Sequence, residues 1–92
     1  MTWTVRFERE ARNELRKIAS KDAVRIKRYF AERVVGADDP RQLARRLAGG
    51  PPELWRFRIG DFRAIARIEG DVLVVLVLSV GHRRDVYRRL SR

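Results

Sequence analysis

Residues 54–80 read LWRFRIGDFRAIARIEGDVLVVLVLSV, and a stretch patterned this way has few ways to fold. Arg56 and Arg58 recur at a period of two, as do Arg63, Ile65 and Arg67. Successive strand side chains point to opposite faces, so each set shares a face. Trp55, Phe57 and Ile59 take the other face of the first strand, and Phe62, Ala64, Ala66 and Ile68 that of the second. Residues 72–80 are apolar almost throughout, as in a strand buried on both faces. Gly60-Asp61 and Gly70-Asp71 supply two tight turns, because glycine tolerates the positive φ of a two-residue hairpin. The pattern predicts a three-stranded meander with one apolar face and one face bearing several guanidinium groups.

The rest of the chain supplies the layer that covers the apolar face. Residues 1–7 alternate, with Trp3, Val5 and Phe7 on one side, which predicts a first strand with one buried face. Ala11, Leu15 and Ile18 then recur at helical spacing. Ser20 reads as the N-cap of a second helix whose stripe is Ala23, Ile26, Phe30 and Val34, ending at Gly36. Asp39-Pro40 reads as an N-cap followed by proline at the first helical position. A short helix over residues 41–48 is expected to follow, with Leu43 and Leu47 inward, before Gly49-Gly50 and Pro51-Pro52 lead into the sheet. The expectation is one domain over residues 1–92 of the α+β class. A helical hairpin packs on one face of a small, mainly antiparallel four-stranded sheet, and a short C-terminal helix follows (β-α-α-β-β-β-α, the short helix aside). The third meander strand, apolar on both faces, is placed inside the sheet with the N-terminal strand beside it.

Charge narrows the function. With 22 Lys and Arg against 12 Asp and Glu, the net charge is +10 on 92 residues. A field of that size favours nucleic acid or an acidic protein that masks it, with a basic surface kept for solubility as the plainer reading. Most of the cations are arginine, whose planar fork suits bidentate phosphate contacts. The chain has no cysteine, so neither a disulfide framework nor a thiolate metal site is available. No apolar run approaches the ~20 residues that span a bilayer, and no signal peptide is visible, so a cytoplasmic location and no membrane contact are expected.

Three features converge in this topology. Arg56, Arg58 and Arg63 lie on neighbouring strands, with Arg67 on the same face as Arg63 but further along. Gly81-His82-Arg83-Arg84 leaves the end of the last strand, and Tyr87 falls about one turn into the terminal helix. Any one exposed arginine on a strand is ordinarily just solvated. Several aimed into one concavity with a tyrosine form a phosphate-binding arrangement, able to neutralise charge that builds on a phosphodiester. The phenol can stack on a base or hydrogen-bond to the phosphate. His82, the one histidine, suits a general base at neutral pH, or else caps the strand end or packs at the turn. One histidine offers too few partners for a metal, so no metal or cofactor is expected. The acidic residues are scattered and make no paired-carboxylate site.

The pieces G-D-F-R (60–63) and V-G-H-R-R-D-V-Y (80–87), with R-L-A-G (46–49) before the sheet, resemble the signature of the RelE branch of the RelE/ParE toxins, from bacterial type II toxin–antitoxin pairs. The resemblance covers nearly the whole chain. It implies a metal-independent endoribonuclease that enters the ribosomal A site and cuts mRNA there, the upstream 2′-hydroxyl attacking the phosphate. Arg56 and Arg58 match the two basic positions of the first meander strand, Arg63 the arginine after the aromatic, Arg83 the basic residue after the last strand, and Tyr87 the terminal tyrosine. Arg67, Arg84, Arg88 and Arg89 are expected to contact RNA or the ribosome. The family's best-known members carry lysines on the first strand, one of them proposed as the general base. Arginine keeps its proton under any usual condition, so here the base would be His82, a tyrosinate or ribosomal RNA.

Two other functions fit the charge: a ParE-like, non-enzymatic inhibitor of DNA gyrase, and a non-catalytic RNA-binding module. In either toxin reading, +10 calls for a restraining partner. The expectation is a RelB-like antitoxin whose acidic C-terminal segment folds on the toxin, giving a heteromeric complex.

Overall fold

The computed structural model describes residues 2–82. β1 (Thr4–Phe7), β2 (Ala44–Arg46), β3 (Leu54–Ile59), β4 (Phe62–Glu69) and β5 (Val74–His82) form one mixed sheet in the order β1-β5-β4-β3-β2. The meander β3-β4-β5 is antiparallel, and β1 lies parallel to β5 with Val5 opposite Val75 and Phe7 opposite Val77. The N-terminal strand therefore docks where the apolar pattern of the last strand places it. The expected C-terminal helix lies outside the described residues.

The helices α1 (Arg9–Lys17) and α2 (Ser20–Tyr29) cover one face. Ala19 rather than Ser20 takes the N-cap position of α2, and its carbonyl accepts from the N–H groups of Asp22 and Ala23. After Tyr29 the helix widens into a π-turn, Phe30–Val34, closed by the Val35 N–H on the Phe30 carbonyl at 3.0 Å. The wider turn keeps Phe30 and Val34 both fully buried. Phe30 meets Phe57 edge-on at 5.2 Å between ring centroids and Phe7 at 5.6 Å. Such pairs contribute ~0.5–1.5 kcal/mol each beyond the area they bury. Ala11, Leu15 and Ile26 from the helices close over Ala64, Ala66, Val75, Val77 and Val80 from the sheet. Among the described residues, the opposite face carries a small apolar cluster, Leu54 and Ile65 with Leu47 and Leu78 beside them.

Three expectations need correction. The segment expected to be a short helix over residues 41–48 is instead a 3-10 turn, Pro40–Leu43, followed by β2, so the sheet has five strands rather than four. Asp39 does cap that turn, its carboxylate accepting from the Arg41 N–H at 3.0 Å. β2 forms because β3 would otherwise be a bare edge of unpaired backbone groups, which overrides a weak helical preference. The second turn is also different. Gly60 does hold a positive φ of 61°, but Gly70–Val72 is a 3-10 turn and the left-handed residue after it is Leu73, at φ 55°. Leu73 packs partly against the core, and its carbonyl accepts from the Thr4 N–H at 2.8 Å. These contacts hold a conformation that costs a non-glycine residue ~1 kcal/mol or more.

Lastly, β5 is fully buried on one face only. Val75, Val77 and Val80 lie under the helices, whereas Val74, Leu76 and Leu78 are partly exposed. A register shift against β4, where Ile65 faces Ser79 and Ala66 faces Val77, leaves Leu78 as the extra residue of a bulge. The bulge resets the alternation, which returns Val80 to the side of Val77.

Candidate phosphate-binding site on the open face of the sheet

Register decides which arginines meet. On β3 and β4, Phe57 is opposite Ala64 and Ile59 opposite Phe62, so these residues face the helices. Their sequence neighbours therefore face the open side. There, Arg58 stands directly opposite Arg63, and Arg45 of β2 directly opposite Arg56. The four line one concavity of about 380 Å³, together with Gln42, Leu43 and Ala44. None of these lining residues is acidic.

Each guanidinium is held differently. Arg63 is 7% exposed, and its Nη1 donates to the carbonyls of Gly60 at 3.3 Å and Phe62 at 3.2 Å. The turn thus fixes its direction. Arg56 is half-buried, and Arg58 and Arg45 are exposed. Like charges directly opposite on neighbouring strands destabilise a sheet. Two such pairs side by side are relieved by an anion between them, and donors already in place need no reorganisation as its charge grows.

The other candidates are placed elsewhere. Arg67 is exposed and faces Leu54, four residues along β4 from Arg63, ~13 Å at strand rise. It does not line the concavity. His82 is exposed and opposite Phe62, its ring edge-on to that phenyl at 6.0 Å, while Arg63 is opposite Gly81. The alternation therefore puts His82 on the side of Phe62, away from the arginines. Arg83, Arg84, Tyr87, Arg88 and Arg89 lie outside the described residues. No group of metal-ligating side chains occurs among the described residues.

Two residues escape the sequence pattern. Arg45 is invisible because a three-residue strand carries no periodicity. Glu14 sits on α1 yet is 6% exposed, its carboxylate accepting from the Val80 N–H at 2.7 Å and from Ser79 Oγ at 3.2 Å. β1 ends at Phe7, opposite Val77, so Glu14 supplies an acceptor to β5 beyond the point where its neighbour strand stops. Helical spacing gives no hint that a glutamate would be turned inward.

Comparison with known proteins agrees with this architecture. Residues 5–87 match the family described as "ParE toxin of type II toxin-antitoxin system, parDE". Toxin RelG of Mycobacterium tuberculosis is 31% identical over 93 residues, covering 97% of this chain and all of RelG. The RelBE2 toxin–antitoxin complex of M. tuberculosis contains a chain that superposes with a TM-score of 0.81 at 24% identity, covering 90% of this chain and 100% of that one. A mutant of E. coli toxin RelE in the free state superposes at 0.74 with 23% identity, covering 99% and 96%. Family match, whole-length relative and shared fold lead to one assignment: the chain belongs to the ParE-toxin family of type II toxin–antitoxin systems, on the RelE branch of the RelE/ParE superfamily.

Proposed function

We propose that this toxin is a ribosome-dependent endoribonuclease that cuts mRNA in the A site and arrests translation, as one RelE-like domain over residues 1–92. The observation that carries the reading is the set of four arginines around one concavity, with no acidic residue among the described residues that line it. Arg58 and Arg63 hold the non-bridging oxygens of the scissile phosphate, with Arg56 beside them. As the 2′-hydroxyl of the upstream nucleotide attacks phosphorus, negative charge grows on those oxygens. Arg63, whose direction the turn carbonyls fix beforehand, then stabilises the transition state more than the ground state. The bond to the downstream 5′-oxygen breaks, leaving a cyclic phosphate and a 5′-hydroxyl. Arg83 and Tyr87 complete the site in this reading, with Arg67, Arg84, Arg88 and Arg89 on RNA or the ribosome.

The described residues that line the concavity are Gln42, Leu43, Ala44 and four arginines, and include no histidine, carboxylate or phenol to act as a base. Because His82 lies on the other side of the sheet, beside Phe62, removal of the 2′-hydroxyl proton falls to Tyr87 or ribosomal RNA in this reading. Alignment of the substrate on the ribosome supplies much of the acceleration in such a mechanism.

Several structural relatives are toxin–antitoxin complexes, among them intact RelBE of E. coli and RelB-RelE of Methanococcus jannaschii. They support a cognate RelB-type antitoxin for this chain; in this reading its acidic segment offsets the +10, and the complex is cytoplasmic. Primer extension on translated mRNA after induction tests the activity. Cuts within codons, lost with Arg58→Ala, are the expected result. Growth arrest with intact mRNA would overturn it. Gyrase-dependent DNA breaks with intact mRNA would point instead to a ParE-like, non-enzymatic inhibitor of DNA gyrase. Salt-sensitive RNA binding without cleavage or toxicity would leave only a binding module.

A further inference from the structure

The concavity holds its four guanidiniums as two rungs. Arg45 and Arg56 are direct cross-strand partners, and so are Arg58 and Arg63. Arg56 and Arg58 are two residues apart on β3, ~6.6 Å of strand rise, and the rungs span neighbouring strand pairs ~4.8 Å apart, so their centres lie ~8 Å from one another. Within a rung, Cβ atoms of directly opposed residues lie only ~4.5–5.5 Å apart. Two forks at that spacing converge on one tetrahedral anion. The step between rungs is close to one nucleotide step of a single-stranded backbone. A space of about 380 Å³ is also too large for one phosphate alone.

We propose that Arg45 and Arg56 form a second phosphate subsite, beside the one that Arg58 and Arg63 provide for the scissile group, so that the toxin grips two successive phosphates of one RNA strand. This rests on the endoribonuclease reading, which it makes more specific. Its structural basis is β2. Arg46, the neighbour of Arg45, stands opposite Trp55 with its guanidinium 6.0 Å from the ring centroid, and its Nη2 donates to the Pro52 carbonyl at 3.3 Å. Those contacts on the helix-side face peg β2 in register against β3. That register is what turns Arg45 toward the open face and across from Arg56. A slip of one residue would send it to the other side.

Fluorescence anisotropy on short RNA oligonucleotides with a 2′-deoxy block at the cleaved position tests the subsite without cleavage. One oligonucleotide is otherwise unmodified, and a second carries a neutral methylphosphonate at the phosphate next to the blocked step. On the unmodified strand, Arg45→Ala is expected to raise Kd roughly 10-fold and lower the salt slope by about one. On the methylphosphonate strand the same substitution should change Kd less than about 2-fold, because the contact is already gone. Arg45→Lys should recover part of the loss through charge without the fork. Arg6→Ala, an exposed arginine on β1 at the far edge, controls for loss of charge in general. Equal losses on both strands, no loss on either, or no binding of the unmodified strand at low salt would overturn the two-phosphate grip. The nuclease reading is judged separately by mRNA cleavage. Cleavage that survives in Arg45→Ala with unchanged oligonucleotide binding removes the subsite alone, and the expected binding pattern without any mRNA cuts removes the nuclease alone.

Discussion

Replacing Glu14 with alanine should be as costly as truncating a core side chain of α1. Its carboxylate accepts from the Val80 N–H at 2.7 Å and from Ser79 Oγ at 3.2 Å, at a site 6% exposed. A hydrogen bond to a charged acceptor contributes ~1.5–3 kcal/mol, and a neutral donor left buried without a partner costs a similar amount. With the hydroxyl bond added at ~1 kcal/mol, Glu14→Ala should lose about 3 kcal/mol, against a total stability of ~5–15 kcal/mol for a domain. At ~4–8 °C per kcal/mol for a domain of this size, Tm should fall by about 12–24 °C. Glu14→Gln keeps an acceptor for the Val80 N–H and should lose about 1 kcal/mol, as should Ser79→Ala. Urea unfolding at pH 7, read as the midpoint at constant slope, measures all three. The double variant closes a cycle in which Glu14 and Ser79 should couple by ~0.5–1 kcal/mol. A loss under ~0.5 kcal/mol for Glu14→Ala would refute the idea that this carboxylate completes the edge of β5.

Other outcomes follow from the same structure. Trp3 is buried, and its Nε1 has no hydrogen-bond partner among the described residues, so Trp3→Phe should leave stability unchanged or raise it by up to ~1 kcal/mol. A loss above ~2 kcal/mol in chemical unfolding would mean that the indole N–H is bonded. Gly60→Ala should destabilise by ~1–2 kcal/mol, because φ is 61° and the added Cβ would fall 2.7 Å from Arg25 Nη1. An unchanged unfolding midpoint would show that the turn tolerates a side chain. Burial raises the Tyr29 phenol above its ordinary pKa, with the charge of Arg33 pulling partly back. The unfolded chain then ionises first as pH rises through ~10, so the folded state loses stability above that pH and keeps it in full below. Tyr29→Phe should flatten that part of the profile, and an equally steep fall in the variant would assign it to other groups.

The two faces of the sheet divide the work of this toxin. One is closed by α1 and α2 over an aromatic core, which makes the sheet rigid. Rigidity on that side is what allows like charges to be held close together on the other. Arg63 illustrates the coupling, since the turn carbonyls that orient it belong to the β3-β4 hairpin that the core supports.

Local chemistry alone was enough for much of this. The period of two at Arg56 and Arg58, and again at Arg63 and Arg67, announces a shared face within each strand, because strand side chains alternate whatever the strand pairs with. Gly60 marks a turn and Asp39 a cap for equally local reasons. Apolar spacing reveals α1 and α2, and the run after Val72 reveals an interior strand. Long-range pairing settled the remainder. Residues 44–46 have no periodicity of their own and become a strand only when β3 offers an open edge, and that event brings Arg45 beside Arg56. Leu73, rather than Gly70, takes the left-handed position because Thr4, from the other end of the chain, bonds to its carbonyl. Glu14 turns inward because β1 stops at Phe7 and leaves Val80 to be satisfied. Short-range patterns fix which way side chains face, but a backbone group without a neighbour takes its partner from wherever the fold brings one.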